Sequence, residues 1–356
     1  MRKSDYQPLG KYIEQVNVRN RDLTVTNLMG VSIEKRFIPS IANTIGTDLS
    51  PYKIVKPGQF AYGPVTSRNG DKITIALYNG NEDCIISQAY EAFRIKDTTQ
   101  LLPEYLMMWA KRPEFDRYAR YMSHGSVREL FSWEEMCNVM VPVPPIEEQR
   151  RIVSEYQTVE RRIANNEALI QKLEETAQTI YHHTFVEGID EENLPEGWRK
   201  GCLEDIANFS NGKAIKPSVG CIPVYGGNGI IGFTEENNAE NVIVIGRVGA
   251  NCGCVYYNEA KCWVNDNSIK GTSKDGHNGY LFFLLKSLEL NKVSEGSGQP
   301  LLTQTILNGL PFSIPDSKTI IDFNKFATRI LRYIDILIEE NSHLRTLLSL
   351  LTSKLS

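Results

Sequence analysis

Three cysteines in the second half of the chain stand at a spacing that could hold a zinc ion. Cys252, Cys254 and Cys262 would supply thiolates, and Cys221 or His277 could complete a tetrahedral set. The spacing lacks the paired Cys-x-x-Cys knuckles of common structural zinc sites, and free cysteine is itself a common buried residue. We therefore predict no metal site and expect the seven cysteines to be free thiols.

Two further segments match fragments of catalytic motifs. Residues 227–232 fit the Gly-x-Gly-x-x-Gly pattern, but a predicted strand follows them, so no helix N-terminus would receive a pyrophosphate. Glu259-Ala-Lys261 is part of a nuclease metal motif, without the Pro-Asp that normally precedes it. The chain also lacks a Gly-x-x-x-x-Gly-Lys-Ser/Thr loop and the Asn/Asp-Pro-Pro-aromatic motif of adenine methyltransferases. We expect a binding protein rather than an enzyme.

The most informative pattern is a duplication. Five residues recur at a constant shift of 171 positions: Ser123, Gly125, Ser126, Leu130 and Pro144 become Ser294, Gly296, Ser297, Leu301 and Pro315. Each copy then runs into a long charged segment. A chain built in this way can present two recognition surfaces.

The two long segments have the periodicity of coiled-coil helices. Their apolar positions step by three and four, from Val159 to Thr184 and from Ala327 to Leu355. Each helix would be roughly 40 residues, or about 60 Å, long. The linker at 187–198 must let the chain return, so antiparallel packing is favoured, although each helix could instead cover only its own domain. Asn166 and Asn341 would then face each other, and a buried asparagine pair fixes the register.

Short β-rich runs divided by glycine turns precede each long helix. We therefore predict a mixed α+β fold: two α/β domains, separated by a pair of long antiparallel coiled-coil helices, with a pseudo-two-fold internal repeat. The predicted boundaries are 1–145 for the first recognition domain, 146–187 for the central helix, 188–316 for the second recognition domain and 317–356 for the C-terminal helix.

Composition sets broad limits on function. The chain of 356 residues has 41% apolar residues and a formal net charge of −4, so its overall charge does not advertise nucleic-acid binding. The first ten residues lack the apolar core of a secretory signal, and no apolar run is long enough to span a membrane. We expect a cytoplasmic protein.

These features resemble one family over essentially the whole chain: the specificity subunit of Type I restriction–modification systems. The segments that carry the resemblance are LGKYIE at 9–14, VPVPPIEEQRRI at 141–152, KLEETAQ at 172–178, LPEGW at 194–198, IPVYGGNG at 222–229 and GRVGAN at 246–251. The second helix start, at 315–321, lacks the Glu-Glu-Gln found in the first.

The resemblance implies a non-catalytic DNA reader. Each domain would read one half of a split double-stranded DNA target, and the helices would set the gap between the halves. Two methyltransferase subunits would dock on the helices and methylate adenine N6, and motor-nuclease subunits would join for cleavage. The chain itself would hold no cofactor, since S-adenosylmethionine, ATP and Mg would be bound by the partners. The alternative is a coiled-coil scaffold whose α/β domains bind proteins or glycans.

Polar residues beside glycines are the candidate DNA readers, because loops on rigid sheets can deliver them to the major groove. Ser67, Arg68 and Asn69 combine a guanine-type with an adenine-type reader, although Asn69-Gly70 could equally be an ordinary hairpin turn. The duplicated loops contribute Ser126 and Arg128 in the first copy.

In the second copy the duplicated loop contributes Ser297 and Gln299. Small residues in these loops permit close backbone approach to phosphates or base edges. Asn228, on a glycine-rich loop, and Arg247, at a strand end, complete the set. The structural alternative for Arg247 is a salt bridge.

Overall fold

The computed structural model describes residues 6–40, 46–67, 69–124, 129–295 and 300–355. The chain forms two units: unit 1 comprises Met1–Ile163 with Ser342–Ser356, and unit 2 comprises Ala164–Asn341. No helix in the described ranges is long and apolar enough to cross a membrane.

Unit 1 contains a four-stranded antiparallel sheet and three two-stranded ladders. Its strands are β1 (Tyr6–Pro8), β2 (Ile13–Val16), β3 (Met29–Val31), β4 (Phe37–Pro39), β5 (Lys53–Val55), β6 (Phe60–Tyr62), β7 (Ile75–Leu77), β8 (Cys84–Ile86), β9 (Glu91–Ile95) and β10 (Met140–Pro142). The main sheet has the order β2-β9-β6-β7, and the ladders pair β1 with β10, β3 with β4, and β5 with β8. The helices of its recognition domain are α1 (Pro103–Ala110), α2 (Pro113–Tyr121) and α3 (Trp133–Asn138), and α4 (Ile146–Phe185) begins in this unit.

Unit 2 contains a six-stranded sheet of order β12-β17-β15-β16-β13-β14, in which only the β13–β16 pair is parallel. Its strands are β11 (Arg199–Cys202), β12 (Ala207–Asn211), β13 (Ile222–Gly226), β14 (Gly229–Thr234), β15 (Ala239–Gly246), β16 (Val255–Val264), β17 (Ser268–Ser273) and β18 (Pro311–Ile314). Its helices are α5 (Leu203–Ile206), α6 (Asn278–Ser287) and α7 (Gln304–Gly309), and α8 (Ser317–Ser353) begins here. β11 pairs with β18, as β1 pairs with β10 in unit 1.

In both units a central strand is buried on both of its faces. Phe60 and Tyr62 of β6 face one apolar cluster and Ala61 the other. Ile243 and Ile245 of β15 likewise face the cluster that contains α6, while Val242 and Val244 face a second cluster. Because side chains alternate along a strand, apolar residues at every position require such two-sided burial. Each strand end is therefore held rigidly.

The long helices are antiparallel within unit 2. Asn166 of α4 meets Asn341 of α8, while further along α4 the Tyr181 ring lies 5.6 Å from the ring of Phe323. Residue numbers therefore rise along α4 in the direction in which they fall along α8. The mixed α/β repeat with long antiparallel helices, expected from the sequence, is confirmed.

One part of the predicted seam is wrong. Ile180 is exposed, and the buried positions after Ala177 are Tyr181 and Phe185. Two steps of four turn the buried face by about 80° around a helix of 3.6 residues per turn, away from the seam of a strict 3.5 repeat. They also bring two aromatic rings against Phe323 and the domain core of unit 2.

The difference between the two helix starts has a structural explanation. Gln149 of α4 is fully buried, accepts a hydrogen bond from Leu102 N (2.9 Å), and so holds the first turn of α1. In unit 2, Asn324 of α8 accepts from Tyr280 N (3.1 Å) in the first turn of α6. An amide side chain performs the same task from a different position, so the Glu-Glu-Gln sequence is not required twice.

Candidate nucleic-acid interface

The duplicated loops are closed in the same way in both units. His124 and Leu130 exchange two backbone hydrogen bonds, with N···O distances of 3.2 and 2.9 Å. Glu295 and Leu301 exchange the equivalent pair, at 3.0 and 2.8 Å. Shifting the first pair by 171 gives the second, so both loops are closed at their base by the same pair of backbone hydrogen bonds.

In unit 1 this loop is attached to the segment that follows β6. Phe131 N donates to Pro64 O (2.8 Å), and Thr66 N donates to Glu129 O (3.0 Å). We call residues 64–69 corner 1. Its turn is closed by Asn69 N, which donates to Thr66 O (3.1 Å).

In unit 2 the loop is attached to the segment that follows β15. Leu302 N donates to Arg247 O (2.8 Å), and Gly249 N donates to Pro300 O (3.0 Å). We call residues 247–252 corner 2, and Cys252 N closes its turn by donating to Gly249 O (3.0 Å). Corner 2 is corner 1 shifted by 183 positions, so a strand end and a duplicated loop meet in the same way in both units.

Corner 1 contains the first group of predicted readers. Ser67 is exposed, and Asn69 is half-buried. Asn69 Nδ2 donates to Val65 O (3.1 Å), so part of its amide stabilises the turn itself, as the hairpin alternative expects. Arg68 lies outside the described residues.

The four predicted readers within the duplicated loops, Ser126, Arg128, Ser297 and Gln299, also lie outside the described residues. The bases of both loops are described, and each base is attached to a corner. The structure therefore joins the base of each duplicated loop to a corner of the same unit.

Arg247 lies in corner 2 with its backbone fixed on both sides. Its N–H donates to Asn267 O (3.1 Å), and its carbonyl accepts from Leu302 N and from the Cys252 thiol (3.4 Å). Burial raises the pKa of Cys252, which keeps this thiol protonated as a donor. Arg247 Nε is buried without a hydrogen-bond partner, and no carboxylate within the described ranges pairs with its guanidinium. Within the described residues, Arg247 therefore does not form the salt bridge that was its structural alternative.

Asn228 occupies the exposed tip of the hairpin between β13 and β14. The tip lies next to corner 2, because a Cβ built on Gly227 would lie 3.7 Å from Gly246 Cα and 3.9 Å from Asn251 Cβ. Asn228 and Arg247 are thus brought to one surface.

Sequence reasoning missed two residues on this surface, Asn251 and Asn267. A Cβ on Gly227 would lie 3.5 Å from Asn267 O, so both residues border the same turn as Asn228. We call Asn228, Asn251 and Asn267 the asparagine cluster. The sequence offered glycines close to Asn228 and Asn251 as a signal and none beside Asn267, and the contacts that bring the three turns together are between segments distant in sequence.

The buried asparagines of the long helices are hydrogen-bonded to each other. Asn166 Nδ2 donates to Asn341 Oδ1 (2.9 Å) and to Glu340 Oε2 (2.9 Å). Both asparagines are almost fully buried, with 2% and 3% exposure. The side chains meet at the position where the sequence pattern would put a register-fixing pair.

The cysteines form no recognisable metal site in the part of the chain that is described. There, no group of three His, Cys, Asp or Glu side chains is arranged to hold a metal ion.

A family model, Type I restriction modification DNA specificity domain, matches the chain twice, over residues 34–175 and 195–349. Among solved structures, the S subunit of a Type I restriction–modification system from M. genitalium is similar, with a TM-score of 0.64 and 17% identity, covering 98% of this chain and 95% of that chain. The HsdS subunit from Thermoanaerobacter tengcongensis is 17% identical with a TM-score of 0.38, covering 98% and 95%. No curated protein sequence gives a significant match.

Proposed function

The chain belongs to the Type I restriction–modification DNA specificity domain family, and from this premise we propose that it reads a bipartite double-stranded DNA target for a restriction–modification complex. Each recognition domain, at residues 1–145 and 188–316, binds one half of the target. The long helices, at 146–187 and 317–356, hold the two domains. The chain recognises DNA, and its partner subunits carry out methylation and cleavage.

The observation that carries this proposal is the repeated corner. In each unit the segment that follows a strand buried on both faces makes two backbone hydrogen bonds to the base of a duplicated loop, and glycine and small polar residues surround the junction. A rigid strand end that supports a loop is the arrangement needed to hold side chains against base edges. Two such junctions suit a target with two halves.

We assign the readers by corner. Ser67, Arg68 and Asn69 with Ser126 and Arg128 serve the half-site of unit 1.

For the half-site of unit 2 we assign Asn228, Arg247, Ser297 and Gln299. Arginine pairs with guanine O6 and N7, whereas hydroxyl and amide groups also position the phosphates.

The partners follow from the same proposal. Two methyltransferase subunits bind the long helices and methylate adenine N6, and motor-nuclease subunits join them for cleavage. These partners bind S-adenosylmethionine, ATP and Mg, and the complex works in the cytoplasm. The Asn166–Asn341 pair fixes the register of the helices on which the partners bind.

Long-read sequencing for N6-methyladenine tests the function directly. Host DNA is compared with the gene intact, deleted, and restored, in a strain that expresses the partner methyltransferase. We expect a split motif, methylated on both strands, that disappears with the gene and returns on complementation. An unchanged methylation pattern in all three strains would reject the proposal.

A further inference from the structure

We propose that the asparagine cluster of unit 2 reads adenine in the half-site bound by that unit. The inference rests on the proposed DNA-reading function and names the base that this surface selects. It follows from three features of Asn228, Asn251 and Asn267: a fixed backbone, unused amides and a shared surface.

The backbone beneath the cluster is tightly packed. A Cβ on Gly246 would lie 2.3 Å from Asn251 O and 2.8 Å from Gly227 O, so only glycine permits this approach. Gly249 starts the short 3₁₀ helix Gly249–Asn251 with a φ of 68°, and Asn251 O accepts from Cys254 N (3.2 Å). Asn251 is therefore held before any ligand arrives, which reduces the entropy lost on binding.

The amides of the cluster are not used to hold the protein together. Among the described residues, none of the three side chains makes a hydrogen bond, and each is half-buried or exposed. Other asparagines of unit 2 behave differently. Asn238 exchanges two hydrogen bonds with the Val264 backbone, and Asn278 holds two separate segments.

An unused amide on a fixed backbone suits one base best. The carboxamide offers one donor and one acceptor side by side, matching adenine N7 and the N6 amino group in the major groove. Guanine presents two acceptors at the same edge and would leave the amide oxygen unpaired. By the shift of 183 in the sequence, Asn251 corresponds to Arg68, which we assign to the half-site of unit 1. The two copies therefore differ between an adenine-type and a guanine-type residue at this sequence position.

The test uses the full chain in complex with its methyltransferase and the motif defined by methylation sequencing. Each adenine of the motif, except the methylated ones, is replaced in turn by 7-deaza-adenine, which lacks the N7 acceptor. We expect one adenine in a single half-site at which the wild-type complex loses about tenfold in affinity, as one bidentate contact implies. In Asn251→Ala, or in the triple variant Asn228→Ala, Asn251→Ala and Asn267→Ala, that analogue should cause no further loss.

Asn237→Ala is the matched control, because this exposed asparagine lies between β14 and β15, at the opposite end of β15 from Gly246. It should behave as wild type. Equal sensitivity to 7-deaza-adenine in wild type and the triple variant, or equal weakening on every DNA sequence, would overturn the inference. A wild-type complex that shows no sequence preference would instead overturn the proposed function itself.

Discussion

At the scale of single residues, Lys35 shows how unit 1 uses a buried charge for position. Its Nζ lies 2.8 Å from Asp116 Oδ1 and donates to Ala110 O (2.6 Å). Burial lowers its pKa, and the Asp116 carboxylate opposes that effect. The pair fastens the turn between β3 and β4 to the end of α1 and to α2.

Removing one partner of this pair should be costly. We expect Asp116→Ala to lower the free energy of unfolding by about 3–5 kcal/mol, because the Lys35 ammonium would be left buried without its counter-ion. Urea denaturation measures the change. Arg117→Ala, which removes an exposed charge from the same helix and breaks its surface ion pair with Glu114, is the control and should cost under about 1 kcal/mol. Similar losses for the two variants would show that the buried pair has no special role.

The thiols should differ sharply in reactivity. Burial raises the pKa of Cys84 to about 12 and that of Cys262 to about 11, whereas Cys221 is exposed. The thiolate is the nucleophile, so at pH 8 both buried thiols should stay protonated and unreactive. We expect iodoacetamide to label Cys221 in the folded protein, and the buried two only after denaturation, as read by mass spectrometry. Rapid labelling of Cys84 in the native chain would contradict this.

At the scale of elements, the buried Asn166–Asn341 pair lowers the stability of the helix packing but fixes the register of α4 against α8. Asn341→Ala should cost about 0.5–1.5 kcal/mol, because the buried Asn166 amide loses its hydrogen bond to Asn341 Oδ1 and keeps the one to Glu340 Oε2. Asn165→Ala, at the exposed neighbouring position, should change stability little. Thermal unfolding compares the two. Replacing both buried asparagines by leucine should restore stability while weakening the preference for one register; a double variant as unstable as Asn341→Ala would argue against that account.

The glycine beneath the asparagine cluster gives a second test at this scale. Gly246→Ala should disturb corner 2, because its Cβ would clash with the Asn251 and Gly227 carbonyls. Gly309→Ala is the control, since nothing lies within 4 Å of that position. We expect Gly246→Ala to relax methylation specificity at one half-site only. Equal relaxation at both half-sites, or none, would count against independent corners.

The elements themselves were largely predictable, and their pairing was not. The long helices predicted from the three-four spacing appear in the structure as α4 and α8, because that pattern depends on residues close in sequence. The full length of β16 (Val255–Val264) is harder to predict, since its charged middle is half-exposed and carries no apolar signal. The corners escaped detection because their shift is 183, whereas that of the loops is 171. Only hydrogen bonds between distant segments reveal the match.

At the scale of the whole molecule, the net charge of −4 limits how the chain can bind DNA. We expect the isolated chain to bind duplex DNA weakly, with partners supplying much of the contact to the phosphates. Fluorescence anisotropy between 50 and 200 mM salt should give a steeper dependence of log Kd on log salt for the complex than for the chain. Tight, specific binding by the chain alone at physiological salt would refute the prediction.

The constant shift of 171 extends from the duplicated loop through the helix caps, Ser132 of α3 and Thr303 of α7, to the starts of α4 and α8 at Ile146 and Ser317. Ahead of the loop the spacing changes, since the corners are displaced by 183. The two copies therefore differ in the number of residues between corner and loop, whereas the number of residues from the loop to the long helix is the same in both. The stretch from 124 to 146 acts as a connector of fixed length. Changes in chain length before it leave the spacing between the loop and the long helix unaltered.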